Sequence, residues 1–183
     1  MTSSDIWKAL VKAEQRARSS KWKRLIVSPF RYPALMGFNR VIYPIIGRGM
    51  TVSAKPFFGL LMRTLLPSGT DILLNGIKSH DSEIRLSKFF CRRIEQGDSI
   101  IDVGAHYGYY SLLASALTGS SGKVYAVEAS AASFPLLLEN TSSIPNIISF
   151  HRAASDTVGE LVFYEYPGPL AEYNTMNRNA YLD

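Results

Sequence analysis

The stretch Asp102-Val-Gly-Ala-His-Tyr-Gly108 decides the fold of this chain. It follows a short apolar run, residues 99 to 101, and leads into a longer apolar run, residues 109 to 117. The first run predicts a strand and the second a helix, so the stretch between them is a strand-to-helix loop. Gly104 and Gly108 allow the backbone of such a loop to come close to a bound molecule. We therefore predict a ligand-binding loop.

A second strand follows at the distance that one βαβ unit requires. Residues 123 to 127 form a short apolar run that ends on Glu128, 26 positions after Asp102. A carboxylate at the end of the second strand can accept hydrogen bonds from both hydroxyls of a ribose. Glu128 is therefore the predicted ribose ligand. Alternatively, it is an acid at the N-terminus of the next predicted helix, residues 129 to 138, stabilised by the helix dipole.

The spacing of the two glycines distinguishes between nucleotide cofactors. They are separated by three residues, GxxxG, whereas a loop that holds the pyrophosphate of a dinucleotide shows GxGxxG. A nucleoside with an amino-acid tail needs no pyrophosphate cradle, so the loop favours S-adenosylmethionine over NAD. Asp102 is predicted to lie near the amino group of the methionine part. The alternative for Asp102 is a purely structural role as a cap of the loop.

Several further motifs occur in a fixed order along the chain: residues 100 to 114, 122 to 128, 136 to 140, Asn146, and 153 to 160. This ordered set resembles the FkbM-type methyltransferases, and the resemblance covers residues 70 to 176. It implies an α/β fold, namely the three-layer, Rossmann-like fold of class I methyltransferases. It also implies S-adenosylmethionine as methyl donor and a hydroxyl oxygen of a sugar, glycan or secondary metabolite as acceptor.

The predicted cofactor-binding positions lie in the glycine loop, at the ends of the second and third strands, and at the start of the helix before the first strand. They are Glu83, Asp102, Gly104, Ala105, His106, Gly108, Glu128, Ala129, Ala153 and Asp156.

His106 and Ala129 depart from the family pattern, which commonly has Asn and Pro there. An imidazole near the sulfonium could take a proton from an acceptor hydroxyl, because the ordinary pKa of histidine lies close to neutral pH. His106 is therefore the candidate catalytic base. The alternative is that it holds the loop or contacts the amino-acid tail, as the Asn would. The sequence identifies no other catalytic residue.

The segment before the first strand is predicted to contain a hairpin and a helix. Residues 51 to 66 and 71 to 77 are predicted strands around a turn at residues 67 to 69. The sequence His80-Asp-Ser-Glu83 then predicts the start of a helix that runs from Ile84 to Ile94. Glu83 belongs either to the cap of this helix or to the methionine end of the cofactor pocket.

A third strand is predicted at residues 146 to 150. The turn after it would bring Ala153 and Asp156 near the adenine, although Asp156 could equally begin the turn into a strand over residues 160 to 166. The segment Ala171-Glu-Tyr-Asn-Thr-Met176 resembles a stretch that precedes the acceptor region in the family.

Three domains are predicted: a basic amphipathic helical region (1 to 50), a β-hairpin (51 to 78), and the N-terminal part of the methyltransferase domain (79 to 183). Family members continue with further strands and helices where this chain stops at Asp183. We therefore expect an incomplete sheet and a truncated reading frame or fragment.

Charge is divided unevenly along the chain. Residues 1 to 63 hold 12 Lys or Arg and two acids, whereas residues 64 to 183 hold 8 Lys or Arg and 13 acids. Residues 6 to 26 predict a basic amphipathic helix that suits an anionic membrane surface, with Trp7 and Trp22 at the interface. The alternative is a solvated helix docked on the domain.

Other classes of protein find less support. Basic residues interrupt the apolar segment from Leu25 to Leu66 before it reaches the length of a membrane span, and no signal peptide is recognised. His80 and His151 lack the spacing of a metal site, and the single cysteine, Cys91, lies in a helical apolar pattern. We expect a cytoplasmic protein, in contact with the inner membrane face if the basic helix binds lipid. No nucleic acid partner or metal is predicted, and the oligomeric state is left open.

The sequence thus predicts methyl transfer from S-adenosylmethionine to a hydroxyl of a glycan or other small molecule, with this chain supplying the cofactor-binding half. One alternative is a noncatalytic remnant or a membrane-surface binding protein. A second alternative is an NAD-dependent sugar oxidoreductase, which the glycine spacing disfavours.

Overall fold

The computed structural model describes residues 1–160, 162–166 and 174. The chain divides into two compact units, Met1–Ile94 and Glu95–Asp183. The predicted segment 171 to 176 therefore lies outside the described residues, except for residue 174. Among the helices that are described, none combines the length and the apolar character needed to cross a bilayer.

The first unit opens with helix α1 (Ser3–Ala17), which starts at a capping box. Thr2 Oγ1 accepts a hydrogen bond from the Asp5 amide at 3.2 Å, and the Asp5 carboxylate accepts one from the Thr2 amide at 3.0 Å. The apolar face of α1 is buried and packs against helices of its own unit. Its buried residues are Ile6, Leu10, Ala13 and Ala17.

The prediction of one helix over residues 6 to 26 was wrong at its centre, because α1 ends at Ala17 and a second helix, α2 (Lys21–Val27), begins after it. Ser20 accounts for the break, since its hydroxyl accepts a hydrogen bond from the Lys23 amide at 3.3 Å and so caps a new helix. Three short helical segments follow: α3 (Arg31–Gly37), a π-helical segment (Phe38–Ile42) and α4 (Tyr43–Ile46).

A hairpin is present, but it is not the pairing that was predicted around residues 67 to 69, because both of its strands lie before Pro67. Strand β1 (Met50–Ala54) pairs antiparallel with β2 (Met62–Leu66), with Val52 opposite Thr64. The predicted strand at residues 71 to 77 was wrong, because this segment forms helix α5 (Thr70–Asn75). An apolar run of this length fits either structure, and the left-handed Gly76, with φ of 74°, ends the helix.

Helix α6 (Asp81–Arg93) completes the first unit and packs against α1. Glu14 of α1 lies 2.7 Å from Lys88 Nζ of α6 and 3.1 Å from Arg18 Nε. Arg18 also pairs with Asp81 at 2.8 Å. Ion pairs and the buried apolar face together hold α1 on its own unit. This arrangement corresponds to the alternative prediction, a solvated helix that is docked on the folded chain.

The second unit is a parallel sheet with its connecting helices. Strands β3 (Ser99–Val103), β4 (Lys123–Glu128) and β5 (Ile147–His151) lie side by side in the order β3-β4-β5. Helix α7 (Tyr109–Thr118) connects the first two strands, and α8 (Phe134–Thr141) connects the last two. The α/β, Rossmann-like fold with an incomplete sheet and a small hairpin before it is confirmed.

The strand register explains which face of this sheet is covered. Val124 and Ala126 of β4 are buried on the side of α7 and α8. The opposite face consists of two cross-strand apolar rows, in which the residues of the two outer strands are exposed. The rows are Ile101–Tyr125–Ile148 and Val103–Val127–Phe150.

The strand predicted at residues 160 to 166 does not form in the described part of that segment. Only an isolated bridge occurs, at Tyr164. The Tyr166 amide donates a hydrogen bond to Asn174 Oδ1 at 2.8 Å, so a side chain rather than a neighbouring strand satisfies this backbone group.

Candidate functional site

A cavity of about 270 Å³ lies at the carboxyl ends of the parallel strands, where open α/β sheets bind their ligands. Its described lining comes from the loops after β3, β4 and β5 and from the segment beyond β5. The lining residues are Val103, Gly104, His106, Val127, Glu128, Ala129, Arg152, Ala153, Ala154, Phe163 and Asn174.

The cavity brings together half of the predicted binding residues: Gly104, His106, Glu128, Ala129 and Ala153. The other five predicted residues are not in its lining. These are Glu83, Asp102, Ala105, Gly108 and Asp156.

Glu128 is the best-defined side chain of the cavity, because backbone amides fix both of its carboxylate oxygens. Oε2 accepts a hydrogen bond from the His106 amide at 2.7 Å, and Oε1 accepts one from the Ser130 amide at 2.8 Å. The residue is only 7% exposed. An ionised carboxylate offers about four acceptor sites, so two amides leave capacity for further donors such as ribose hydroxyls.

The structural alternative for Glu128, an acid in the first turn of the next helix, was wrong. Helix α8 begins at Phe134 rather than at residue 129, and it has no acid in its first turn. Ser130 accounts for the later start of the helix, because its hydroxyl accepts a hydrogen bond from the Ser133 amide at 3.0 Å and stabilises a turn before the helix.

The two glycines of the loop have different roles. Both adopt left-handed backbone angles, with φ of 78° at Gly104 and 86° at Gly108. Open space lies where a Cβ of residue 104 would be, whereas a Cβ at residue 108 would lie 2.9 Å from Leu137 Cδ1. Gly104 therefore leaves room on the cavity side, and Gly108 allows the start of α7 to come close to Leu137 of α8.

The loop is also held to the neighbouring strand. The amides of Gly104 and Ala105 both donate to the Val127 carbonyl, at 2.9 and 3.0 Å. Ala105 is buried, and this hydrogen bond gives it a structural role in the loop. On the core side, Asn140 Nδ2 donates to the Tyr107 carbonyl at 2.7 Å.

His106 forms part of the cavity wall in an unusual backbone conformation. Its φ of 51° is positive, and its amide is the donor to Glu128. The ring lies against that of Tyr107, with centroids 3.6 Å apart and a tilt of 30° between the ring planes. The backbone of His106 thus holds the loop, as the alternative prediction stated. Because the residue also lines the cavity, it stays a candidate for the catalytic base.

Asp102 connects β3 to α7 from inside the unit. Its Oδ2 accepts a hydrogen bond from Ser111 Oγ, in the first turn of α7, at 2.6 Å. This contact supports the structural alternative for Asp102, since it ties the strand to the helix on either side of the loop.

The turn after β5 places Ala153 but not Asp156 in the cavity wall. The Arg152 amide donates to the Glu128 carbonyl at 3.0 Å, which extends the contact between the ends of β4 and β5. Asp156 is exposed within a bend at residues 156 to 159. Asp156 therefore lies at the start of a turn, as the alternative prediction stated. The strand predicted after this turn does not form in the described part of residues 160 to 166.

Glu83 belongs to the first unit. It lies in the first turn of α6, where the helix dipole favours an acid, and its carboxylate is 3.7 Å from Lys78 Nζ. Its role at the cofactor stays a prediction.

Six residues of the cavity lining were not predicted: Val103, Val127, Arg152, Ala154, Phe163 and Asn174. Val103 and Val127 could have been found, because they face each other in the register of two strands whose ends were already identified. Phe163 and Asn174 follow the last strand, where no periodic pattern indicates which side chains turn back towards the sheet.

A neighbouring cavity of about 380 Å³ shares Ala129, Arg152, Ala153 and Phe163 with the first. Polar residues of the bend, including Ser155 and Thr157, line its other side. The two cavities therefore share one wall.

Other reactive chemistry finds little support in the described residues, which contain no cluster of three or more His, Cys, Asp or Glu able to hold a metal ion. Burial raises the pKa of the Cys91 thiol to about 11, so the thiolate that nucleophilic chemistry requires is scarce at neutral pH.

Neither a protein-family model nor a curated protein matches the sequence. Parts of the structure resemble solved methyltransferases. A SAM-dependent O-methyltransferase from Thermotoga maritima shows 26% identity and a TM-score of 0.37, over 51% of this chain and 37% of that one. Aeropyrum pernix fibrillarin with natively bound S-adenosyl-L-methionine shows 25% identity and a TM-score of 0.32, over 33% and 26%.

A third similar structure is P. horikoshii TYW2 in complex with MeSAdo, with 16% identity and a TM-score of 0.42, over 72% of this chain and 53% of that one. In all three cases the match spans about half or less of the solved protein. At these TM-scores and coverages, the likenesses do not assign the chain to a family.

Proposed function

We propose that the second unit binds S-adenosylmethionine and that the chain serves methyl transfer to a hydroxyl oxygen, as in the FkbM-type methyltransferases that its motifs resemble. The observation that supports this best is the carboxylate of Glu128. It stands at the end of the second parallel strand, in a cavity wall, with both oxygens oriented by backbone amides.

The cofactor would be held by the loops at the strand ends. Glu128 would accept hydrogen bonds from the ribose hydroxyls, and the open space at Gly104 would admit the cofactor close to the backbone. Phe163 and Ala153 would give the adenine ring an apolar wall. When bound, the cofactor supplies an activated methyl group on a sulfonium.

The protein's part in the reaction is alignment and removal of one proton. The bound cofactor would supply its methyl group to the acceptor oxygen by in-line displacement, with the sulfur as leaving group, so residues that align the acceptor would supply much of the acceleration. The acceptor hydroxyl loses its proton in the process. His106 is the candidate base because it is a residue of the cavity lining and its side chain can accept a proton.

A glycan or another polyhydroxylated small molecule is the proposed acceptor. The neighbouring cavity supports this choice, because Ser155, Thr157 and Arg152 offer hydrogen-bonding groups to a polar molecule. The cytoplasm is the proposed location, and a chain with one cysteine suits a reducing compartment.

Calorimetric titration with S-adenosylhomocysteine tests the cofactor proposal. We expect saturable binding by the unaltered chain and an affinity lower by roughly ten- to a hundredfold in Glu128→Gln, which loses a carboxylate acceptor. The matched control is Glu160→Gln, since Glu160 is exposed and absent from the cavity lining. Equal affinity of Glu128→Gln and the unaltered chain would refute the ribose assignment, and binding of NAD instead would favour the oxidoreductase.

His106→Asn tests the base separately. Asn tolerates the left-handed backbone of this position but cannot take a proton at neutral pH. If His106 is the base, turnover with a competent acceptor falls by about 10²- to 10⁴-fold, whereas affinity for S-adenosylhomocysteine is retained. Retained turnover would exclude His106 as the catalytic base and would leave only its role in holding the loop.

A further inference from the structure

We propose that the first unit binds anionic phospholipid membranes through a surface formed by α2, the residues after it and the basic side of α1. This lipid-binding surface consists of three exposed apolar residues and three basic residues beside a cavity. They are Trp22, Ile26 and Phe30, and Lys12, Arg16 and Lys23.

The apolar part of the surface is strongly exposed. Trp22 is 77%, Ile26 78% and Phe30 87% exposed. Trp22 and Ile26 are four residues apart on α2 and so lie on one side of that helix. Contiguous exposed apolar side chains of this size mark interaction sites. Because the apolar face of α1 is buried within the unit, the exposed apolar contact belongs to α2 instead.

The charge of the surrounding segment indicates the kind of partner. Between residues 15 and 70 the sequence holds ten Lys or Arg and no Asp or Glu. A surface that combines exposed apolar side chains with one sign of charge suits the anionic headgroups and acyl chains of a bilayer. A second copy of the chain would bring the same positive charge. A nucleic acid could stack its bases on Trp22 and Phe30, but it would offer no apolar environment to the aliphatic side chain of Ile26.

A cavity of about 220 Å³ lies beside α2, where Lys23 and Val27 of that helix line it. Lys12, Arg16 and Lys23 line it together with hydroxyl and amide side chains, and its described lining contains no acid. No ion pair among the described residues involves these three cations, whereas neighbouring Arg18 is paired with Glu14 and Asp81. Val27 lines the cavity and is also exposed, so the basic cavity opens beside the apolar residues. A lipid phosphate would occupy the cavity while Trp22 and Phe30 enter the interface.

Co-sedimentation with vesicles tests the proposal. We expect the full chain to bind vesicles of equal parts phosphatidylglycerol and phosphatidylcholine, to bind them less at high salt, and to bind phosphatidylcholine vesicles poorly. The triple variant Lys12→Gln/Arg16→Gln/Lys23→Gln should lose roughly a hundredfold in partitioning. The matched control is Arg85→Gln/Arg93→Gln/Lys123→Gln, which removes the same charge from exposed positions elsewhere and should stay within about threefold of the unaltered chain.

The apolar residues need their own pair of variants. Trp22→Gln/Phe30→Gln should lower partitioning to roughly a tenth or less, and the control Phe89→Gln, at an exposed position of α6, should leave it unchanged. Circular dichroism establishes that each variant is folded. Equal binding to both vesicle types, or equal losses in the two charge variants, would overturn the proposal. So would a dimer that Phe30→Gln dissociates while vesicles are not bound, since a second copy would then cover this surface.

Discussion

Two carboxylates, the partly buried Glu14 of the first unit and the buried Glu128 of the second, have different partners. In the first unit, Glu14 is held between two cations, Lys88 at 2.7 Å and Arg18 at 3.1 Å. In the second unit, Glu128 is held between two backbone amides, at 2.7 and 2.8 Å. A cation neutralises the charge that it binds, whereas an amide orients a carboxylate without adding a positive charge. The first arrangement joins helices, and the second leaves an oriented carboxylate in a cavity wall.

The largest expected effect tests whether backbone geometry, in addition to Glu128, fixes the second-unit loop. Gly108→Ala should lower the free energy of unfolding by about 2–4 kcal/mol, because a left-handed residue with a Cβ is strained and this Cβ meets Leu137. Gly104→Ala, which has the same strain but open space, should lose only about 1–2 kcal/mol. Denaturant titrations measure both values. Equal losses would mean that contact with Leu137 contributes nothing.

The next effect concerns the amide-held carboxylate itself. Glu128→Gln should lower the free energy of unfolding by about 1–3 kcal/mol, because the new NH₂ group cannot accept from an amide and leaves one donor without its partner. The loss should be the same at low and high salt, since an amide carries no net charge to be screened. Glu160→Gln serves as the exposed control. A strong salt dependence of the loss would show that a cation, rather than the amides, stabilises Glu128.

The smallest effect is expected for the cation-held carboxylate. Glu14→Gln should lower the free energy of unfolding by about 1 kcal/mol at neutral pH and low salt, and by less at high salt. Hydrogen bonding to Lys88 is the main reason why the pKa of Glu14 lies below its ordinary value of 4.5.

The pH dependence of this variant has a definite sign. Because folding lowers the pKa of Glu14, its contribution is present above pH 4.5 and is lost as the pH falls through the lower value of the folded state. The unaltered chain and Glu14→Gln should therefore converge in acid when unfolding is followed at several pH values. A difference that grows in acid would contradict this assignment.

The sequence predicted the parts of the molecule that depend on local patterns. The strand, loop, helix and second strand around Gly104 follow from apolar runs of distinct length and from glycines at their junctions. Residues 71 to 77 were predicted incorrectly because a short apolar run fits a strand or a helix equally well, and its neighbours decide between them. The break between α1 and α2 depends on one capping serine, Ser20, within an otherwise continuous helical pattern.

The candidate site was predictable to the extent that strand ends define it. Gly104 and Glu128 could be placed because parallel strands bring their carboxyl ends to one edge of the sheet. The hydrogen-bond partners of Glu128 could not be predicted, since the His106 amide reaches the carboxylate only through a left-handed turn of the loop. Among the described residues, Phe163 follows the last regular element, so its position in the wall depends on tertiary contacts.

The positive φ of 51° at His106 also limits how this position can vary. Asn, Asp and His adopt left-handed angles more readily than other residues with a side chain, and Gly adopts them without strain. A histidine can therefore occupy this position with the same left-handed backbone angle that an asparagine would tolerate. Selection at residue 106 would accordingly accept Gly, Asn, Asp or His and reject Val, Ile and Thr, whatever chemistry the side chain performs.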